Sequence, residues 1–142
     1  MDKDANAIAM AADTPVVEIL ISRQYMEDSE SMALMQWCRT QPMVRDAIYH
    51  IGNGGRRLIR EAARLKKMGV RAGVSDYSLP IPRGQYHGLW IELKSGKGRA
   101  TADQLAWIDL MRKHGHRAEV CTGWIAAKDL ITEYMRLGDF EI

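Results

Sequence analysis

The order of elements between residues 87 and 121 constrains the fold of this chain more than any other feature. His87 to Ser95 is rich in β-forming residues, Thr101 to His114 has helical periodicity and precedes Gly115, and Arg117 to Cys121 again favours a strand. This strand, helix, strand order implies parallel pairing of the two strands through a right-handed crossover. The sequence therefore predicts an α/β domain with helices on both faces of its sheet.

A further strand, Asp76 to Leu79, lies upstream of the loop Pro80 to Gln85, in which two prolines and a glycine break regular structure. This strand and His87 to Ser95 are close enough in sequence to pair antiparallel, which makes the sheet mixed. The pairing is expected to lay Asp76 near the later part of the second strand.

The remaining elements are predicted from periodicity and from residues that end helices. Ser29 to Arg39 reads as a helix with Glu30 in its first turn, and Arg57 to Met68 as a helix that Gly69 closes. A strand at Ala47 to Ile51, a tight turn at residues 52–55 and a helix from about residue 126 to 137 complete the domain. Apolar residues recur at helical spacing in the first helix, at Met32, Leu34, Met35 and Cys38, and lie on one stripe of the second, at Leu58, Ala62 and Leu65. In the helix Thr101 to His114, Leu105, Ile108 and Met111 are expected to face inward.

Residues 1–28 are interpreted as an acidic N-terminal arm, whose part in dimerisation is left open, and residues 29–142 as one compact domain. The first fifteen residues have no period, and Val16 to Ile21 fits either a short strand or a packing segment. With 142 residues and 46% apolar content, the chain is long enough to bury a core. No apolar run approaches the length of a membrane span, so an intracellular, cytoplasmic protein is expected.

The cysteine and histidine content offers no metal-ligand pattern. Cys38 and Cys121 lie among apolar neighbours without a C-x-x-C spacing, which predicts reduced, buried thiols. The four histidines are interpreted as surface or core residues. No glycine-rich loop has the spacing of a Walker motif, so no nucleotide cofactor is expected.

Charge is distributed unevenly along the chain although the net charge is only +2. Residues 1–30 hold seven acidic groups against two basic ones, whereas residues 54–71 hold seven basic groups against Glu61. A basic cluster of this kind suits phosphate contacts with nucleic acid, although a solvated helix face is the alternative. The residues predicted to bind DNA are Asn53, Arg56, Arg57, Arg60, Arg64, Lys67, Lys97 and Arg99.

Two charged residues interrupt the apolar strand Trp90 to Lys94. Because side chains alternate across a sheet, Glu92 and Lys94 project to one face while Ile91 and Leu93 project to the other. Charged side chains are rarely buried unless they are paired or bind an ion. With Asp76 on the neighbouring strand, the sequence places two carboxylates and an ammonium group together.

Two adjacent carboxylates repel each other, and a divalent cation relieves that repulsion by taking hard oxygen ligands. Mg²⁺, or Mn²⁺, bound by Asp76, Glu92 and the backbone carbonyl of Leu93 could polarise a phosphodiester. Lys94 beside it would stabilise the transition state or orient the attacking water. The alternative is an ion pair between Glu92 and Lys94 at an exposed sheet edge.

Asp76 followed by Glu92-Leu93-Lys94 resembles the core motif of the PD-(D/E)xK nucleases. Several further motifs, in one order, resemble the VRR-Nuc branch of that superfamily, and the resemblance covers residues 29–137. Ser75 stands where the motif's name has proline. These motifs are Gly52-Asn53-Gly54-Gly55-Arg56-Arg57, Ala63-Arg64-Leu65-Lys66, residues 68–76, Gly88 to Lys94, and Gly96-Lys97-Gly98-Arg99 with Gln104.

The resemblance implies a restriction-endonuclease-like, Holliday junction resolvase-like fold. It implies that Asp76 and Glu92 are metal ligands, that Lys94 is catalytic, and that Glu30 completes the metal site. Gln104 is implied as a further catalytic residue, yet Thr101-Ala102-Asp103-Gln104 is also a capping box that needs glutamine for the helix start alone.

Short members of this branch are similar to phage proteins that form homodimers shaped like Holliday junction resolvases. We therefore expect a metal-dependent DNA endonuclease that acts on branched DNA, foremost four-way junctions, as a homodimer. The alternatives are a monomeric flap or replication-fork nuclease and a catalytically silent DNA-binding module.

Overall fold

The computed structural model of the protein describes residues 15–52 and 59–141, with side chains from residue 24 onward. Its helices are α1 (Pro15–Cys38), α2 (Pro42–Arg45), α3 (Ile59–Lys67), α4 (Ala102–Lys113) and α5 (Trp124–Met135). Its strands are β1 (Tyr49–His50), β2 (Tyr77–Leu79), β3 (Leu89–Lys94) and β4 (Arg117–Thr122). The four strands form one sheet in the order β1-β2-β3-β4.

The sheet is mixed, as the sequence predicts. Strands β1 and β2, and β2 and β3, pair antiparallel, whereas β3 and β4 pair in parallel across the helix α4. The parallel pair is joined by the expected crossover, and Gly115 ends its helix in a left-handed conformation with φ +86°. The predicted strand at Ala47 to Ile51 is confirmed in part, since only Tyr49 and His50 are in strand conformation.

Helices cover both faces of the sheet. Leu89, Ile91 and Leu93 of β3 belong to the main core beneath α1 and α5, to which those helices contribute Leu34, Cys38, Ala127, Leu130, Ile131 and Tyr134. Trp90 projects to the opposite face and meets Trp107 of α4 edge to face, with ring centroids 5.3 Å apart. Cys38 and Cys121 are buried free thiols, as predicted.

Helix α1 begins fourteen residues earlier than its predicted start at Ser29, with Pro15 at its first position. The strand alternative for residues 16–21 is therefore wrong. These residues include β-branched side chains that favour strands, but strand propensity depends strongly on context and here they continue the helix. Placing Glu30 in a first helical turn is also wrong. The division at residue 28 is crossed by this one continuous helix, and residues 1–14 lie outside the described part of the chain.

Two predicted apolar stripes are less buried than expected. Leu105 is 47% exposed, because α4 packs through Trp107, Ile108 and Met111 instead. Helix α3 has no buried residue within Ile59–Lys67, although Leu65 is half-buried. The described basic residues Arg60, Arg64 and Lys67 of this helix are exposed. The turn at residues 53–55 lies outside the described residues.

Among the described residues no helix combines the length and apolar character needed to cross a membrane.

Candidate active site

The predicted strand pairing brings Asp76, Glu92 and Lys94 together. Asp76 directly precedes β2, and Tyr77 pairs with Ile91, so β3 extends past the end of β2 alongside Asp76. The Asp76 Oδ2 atom accepts a hydrogen bond of 2.7 Å from the Leu93 backbone N–H. The pairing of β2 with β3 does not extend to Leu93, so the Leu93 N–H has no backbone acceptor on β2. The Asp76 carboxylate accepts that hydrogen bond instead and is thereby held against β3.

Glu92 is 1% exposed, and its Oε1 atom lies 3.3 Å from the Lys94 Nζ atom. The ion pair is buried, which contradicts the alternative of a Glu-x-Lys pair at an exposed sheet edge. The Glu92 Oε2 atom is buried and has no hydrogen-bond partner among the described residues. A buried carboxylate oxygen without a partner is costly, so this atom requires either a proton or a cation.

Burial raises the pKa of Glu92 to about 8, and the negative charge of Asp76 adds to that rise while Lys94 opposes it. The ionised carboxylates of Glu92 and Asp76 repel each other, which disfavours the charged form of Glu92. A raised pKa favours the protonated form of Glu92, and a divalent cation bound beside it would compete with that proton.

The oxygen donors present fit a hard divalent cation. Asp76 and Glu92 supply carboxylates, and the Leu93 carbonyl projects to the same strand edge as the Leu93 N–H, which points at Asp76. In the described part of the chain, no three His, Cys, Asp or Glu side chains lie close enough together to form a metal site by themselves. A backbone carbonyl and bound water would have to complete the coordination.

A groove of about 310 Å³, here called the central groove, opens beside Asp76 and Leu93. One wall comes from α1, and Glu27 is a half-buried carboxylate on that wall. Sequence reasoning missed Glu27, because a helix starting at Ser29 leaves it outside. The residues lining the central groove are Gln24, Glu27, Asp28, Ser31, Met32, His50, Gly52, Asp76 and Leu93.

Glu30, the acid expected from α1, does not line the central groove. Its Oε2 atom accepts a 2.6 Å hydrogen bond from the backbone N–H of Trp124, the first residue of α5. The N-cap of α5 is Gly123, which has no side chain to cap the helix, so Glu30 supplies the carboxylate from another helix. Its membership of the metal site stays a prediction that this geometry does not favour.

Gln104 forms the predicted capping box. Its Oε1 atom accepts from the Thr101 backbone N–H at 2.8 Å, and the Thr101 hydroxyl accepts from the Gln104 N–H at 3.3 Å. The side chain is thereby used at the start of α4, while its catalytic role stays a prediction.

The predicted DNA-binding residues fall into two described groups and one group outside the described chain. Arg60, Arg64 and Lys67 are exposed on α3, although Arg64 also pairs with Glu61 at 2.9 Å. Lys97 and Arg99 are exposed just after β3, in the turn that leaves Lys94. Asn53, Arg56 and Arg57 are not among the described residues.

Comparison with known proteins agrees with this architecture. The VRR-NUC domain model matches residues 15–124. A solved structure named "VRR_NUC domain protein" is similar with a TM-score of 0.73 and 37% sequence identity, over 82% of this chain and 93% of that one. No curated protein matches the chain. The match of the family model over most of the sequence, together with the mixed sheet, shows that this chain belongs to the VRR-NUC family of nucleases and has its PD-(D/E)xK-like fold.

Proposed function

We propose that this protein is a Mg²⁺- or Mn²⁺-dependent endodeoxyribonuclease that hydrolyses phosphodiester bonds at Asp76, Glu92 and Lys94. The observation that carries the proposal is that the Glu92 Oε2 atom is buried and has no hydrogen-bond partner among the described residues. A second carboxylate, Asp76, lies nearby, and so does Lys94, whose side chain is only 11% exposed. A site of purely structural purpose would have satisfied that atom with a donor. A bound cation would satisfy that atom and would also serve catalysis.

Each residue has a separate part in this mechanism. Asp76, Glu92 and the Leu93 carbonyl would hold the cation, and the chemistry it would supply is polarisation of the phosphodiester and acidification of a water molecule. Lys94 is kept in place by Glu92 and presents its ammonium group to the phosphate, where negative charge accumulates in the transition state. Glu27, on the facing wall of the central groove, is proposed in place of Glu30 as the helix carboxylate that orients water at the site.

Cleavage of labelled DNA with added metal tests the proposal. We expect cutting with Mg²⁺ or Mn²⁺ and none with excess EDTA, because the proposed site uses a bound cation to activate water and to neutralise charge on the phosphate. Cutting that persists undiminished in EDTA would contradict metal dependence. Absence of cutting with either ion, with DNA binding retained, would instead indicate a silent DNA-binding module.

The preferred substrate is proposed to be branched DNA, foremost a four-way junction, cut by a homodimer. The proposal is supported by the resemblance to short phage-type members and by symmetry, because two sites related by a two-fold axis match a two-fold junction. Four-way, flap, fork and linear substrates of equal length are to be compared at equal concentration. Equal rates on linear duplex would remove the structural preference.

The oligomeric state is measured separately by light scattering coupled to size exclusion, with and without a junction. Twice the chain mass of 16.1 kDa is expected. A monomer in both samples would favour a flap or fork nuclease.

The basic face of α3 is proposed to contact the DNA backbone. Arg60 and Lys67 lie seven residues apart and therefore share one helix face, and both are exposed. Replacing both by glutamine should weaken DNA binding and flatten the slope of log Kd against log salt by about 1.8, because each lost phosphate contact releases about 0.9 fewer counterions.

The matched control removes two basic residues elsewhere, through Lys113→Gln with Arg136→Gln, both exposed. An equal change of slope in the control would show a net-charge effect and contradict a specific α3 contact.

A further inference from the structure

The exposed residue His50 occupies an unusual position beside the proposed metal site. It is the last residue of β1 and pairs with Tyr77, the residue that follows Asp76. The next residue, Ile51, donates its backbone N–H to the Asp76 carbonyl at 2.7 Å. The end of β1 is therefore held in register against the residue that bears a metal-site carboxylate.

The imidazole of His50 is supported from one side and open on the other. Its ring lies against the Tyr77 ring, with centroids 4.9 Å apart, and Tyr77 is 1% exposed and anchored in the core. His50 itself is exposed and lines the central groove together with Asp76 and Leu93. A side chain in this setting needs little reorganisation to meet a ligand in the groove.

The central groove is negatively charged, so a hydrogen-bond donor on its wall, such as the His50 imidazole, would help it to bind DNA phosphates. The groove is lined by the carboxylates Glu27, Asp28 and Asp76, and it contains no lysine or arginine among its described residues. A DNA strand brought to the site carries phosphates on either side of the bond to be cut, and those phosphates meet this negative lining. An imidazole has an N–H to donate in both of its protonation states, so it can bind a phosphate oxygen there at any working pH.

We propose that His50 is a substrate-contacting residue that donates a hydrogen bond to the phosphate adjacent to the scissile one. The inference rests on the proposed nuclease function, and it adds a position-specific phosphate contact on the β1 side of the central groove. His50 thus sets which nucleotide enters the metal site, whereas the exposed residues of α3 hold the duplex without regard to position.

Equilibrium DNA binding in Ca²⁺, with no added Mg²⁺ or Mn²⁺, tests the contact apart from catalysis. His50→Ala is expected to raise Kd about tenfold, the effect of one hydrogen bond to a charged group. His50→Gln keeps a neutral donor and should recover most of that loss. The control His114→Ala removes an exposed histidine at the end of α4 and should leave Kd unchanged. Thermal melting of each variant establishes that it is folded.

A scan with single methylphosphonates, which are uncharged phosphate analogues, then locates the contact. At one position of the DNA, a methylphosphonate should weaken binding by the wild type. The same methylphosphonate should cause no further loss of binding by His50→Ala, since that variant already lacks the contact with this phosphate. Unchanged Kd for His50→Ala, or losses that add at every position, would overturn the proposal. Because both measurements are of binding, a wild type that binds but fails to cleave would defeat the nuclease proposal and still decide this one.

Discussion

Glu92→Gln is expected to lower the rate of DNA cleavage by about 10³-fold or more, comparable to the loss of a group that stabilises transition-state charge. The substitution keeps the size of the side chain and removes its charge. It leaves the cation one carboxylate, from Asp76, and frees the Lys94 ammonium group from its 3.3 Å partner. Single-turnover cleavage at saturating Mg²⁺ is the measurement, and a loss below tenfold would contradict the assignment.

The same substitution should stabilise the metal-free protein. Since burial raises the pKa of Glu92 to about 8, ionising it costs the folded state, and the wild type loses stability as pH rises from the unfolded value near 4.5 towards 8. A glutamine at this position does not titrate, so the difference in Tm between the variant and the wild type should grow through that range. Thermal melts from pH 5 to pH 9 in EDTA measure it.

Mg²⁺ should reverse the order of stability. The cation binds the ionised form of the wild type and raises its Tm, while the Glu92→Gln variant shows little response. Glu141→Gln, a control at an exposed glutamate near the C-terminus, should change neither the pH dependence nor the response to metal. A wild type that melts at one temperature with and without saturating Mg²⁺ would argue that Asp76 and Glu92 hold no ion.

Glu27→Gln is expected to lower the cleavage rate about 10²-fold at saturating DNA, within the range for a residue that orients a metal site through its outer contacts. Glu27 lines the central groove with Asp76 and is half-buried, so its loss alters the site and not the core. The Tm of this variant should stay within about 2 °C of the wild type, since Glu27 does not belong to the buried core cluster.

Glu30→Gln provides the matched comparison on the same helix. Cleavage should fall less than about threefold, whereas the Tm should drop by about 4 °C, because the N-terminus of α5 loses the charge that accepts the Trp124 N–H at 2.6 Å. Reversed outcomes, with cleavage lost in Glu30→Gln and kept in Glu27→Gln, would restore Glu30 to the metal site. Cleavage and melting measured on both variants separate the two carboxylates.

Local patterns in the sequence were sufficient to predict the centre of the site. Side chains alternate along a strand whatever surrounds it, so Glu92 and Lys94 were certain to share a face. The short loop between the strands made antiparallel pairing the simplest arrangement, and that pairing carries Asp76 to Leu93. The capping box at Thr101 and Gln104 is equally local and is present as predicted.

Helix boundaries and helix rotation were harder to predict, because tertiary packing decides them. Periodicity from Ser29 onward indicated a helix, but the β-branched run before it concealed a continuous helix from Pro15. Leu105 was predicted to face inward for the same reason. Several faces of α4 contain apolar residues, and only the contact between Trp90 and Trp107 decides which of these faces packs against the sheet.

The sequence by itself determined the parallel β3-α4-β4 unit and the grouping of Asp76, Glu92 and Lys94, because both follow from short-range geometry along the chain. Only the tertiary structure decided that Glu30 faces the start of α5 while Glu27 faces the central groove. It also decided that His50 stands beside Asp76. The positions of these side chains depend on which segments, distant in the sequence, pack against each other. The spacing of residues within one segment carries no information about that packing.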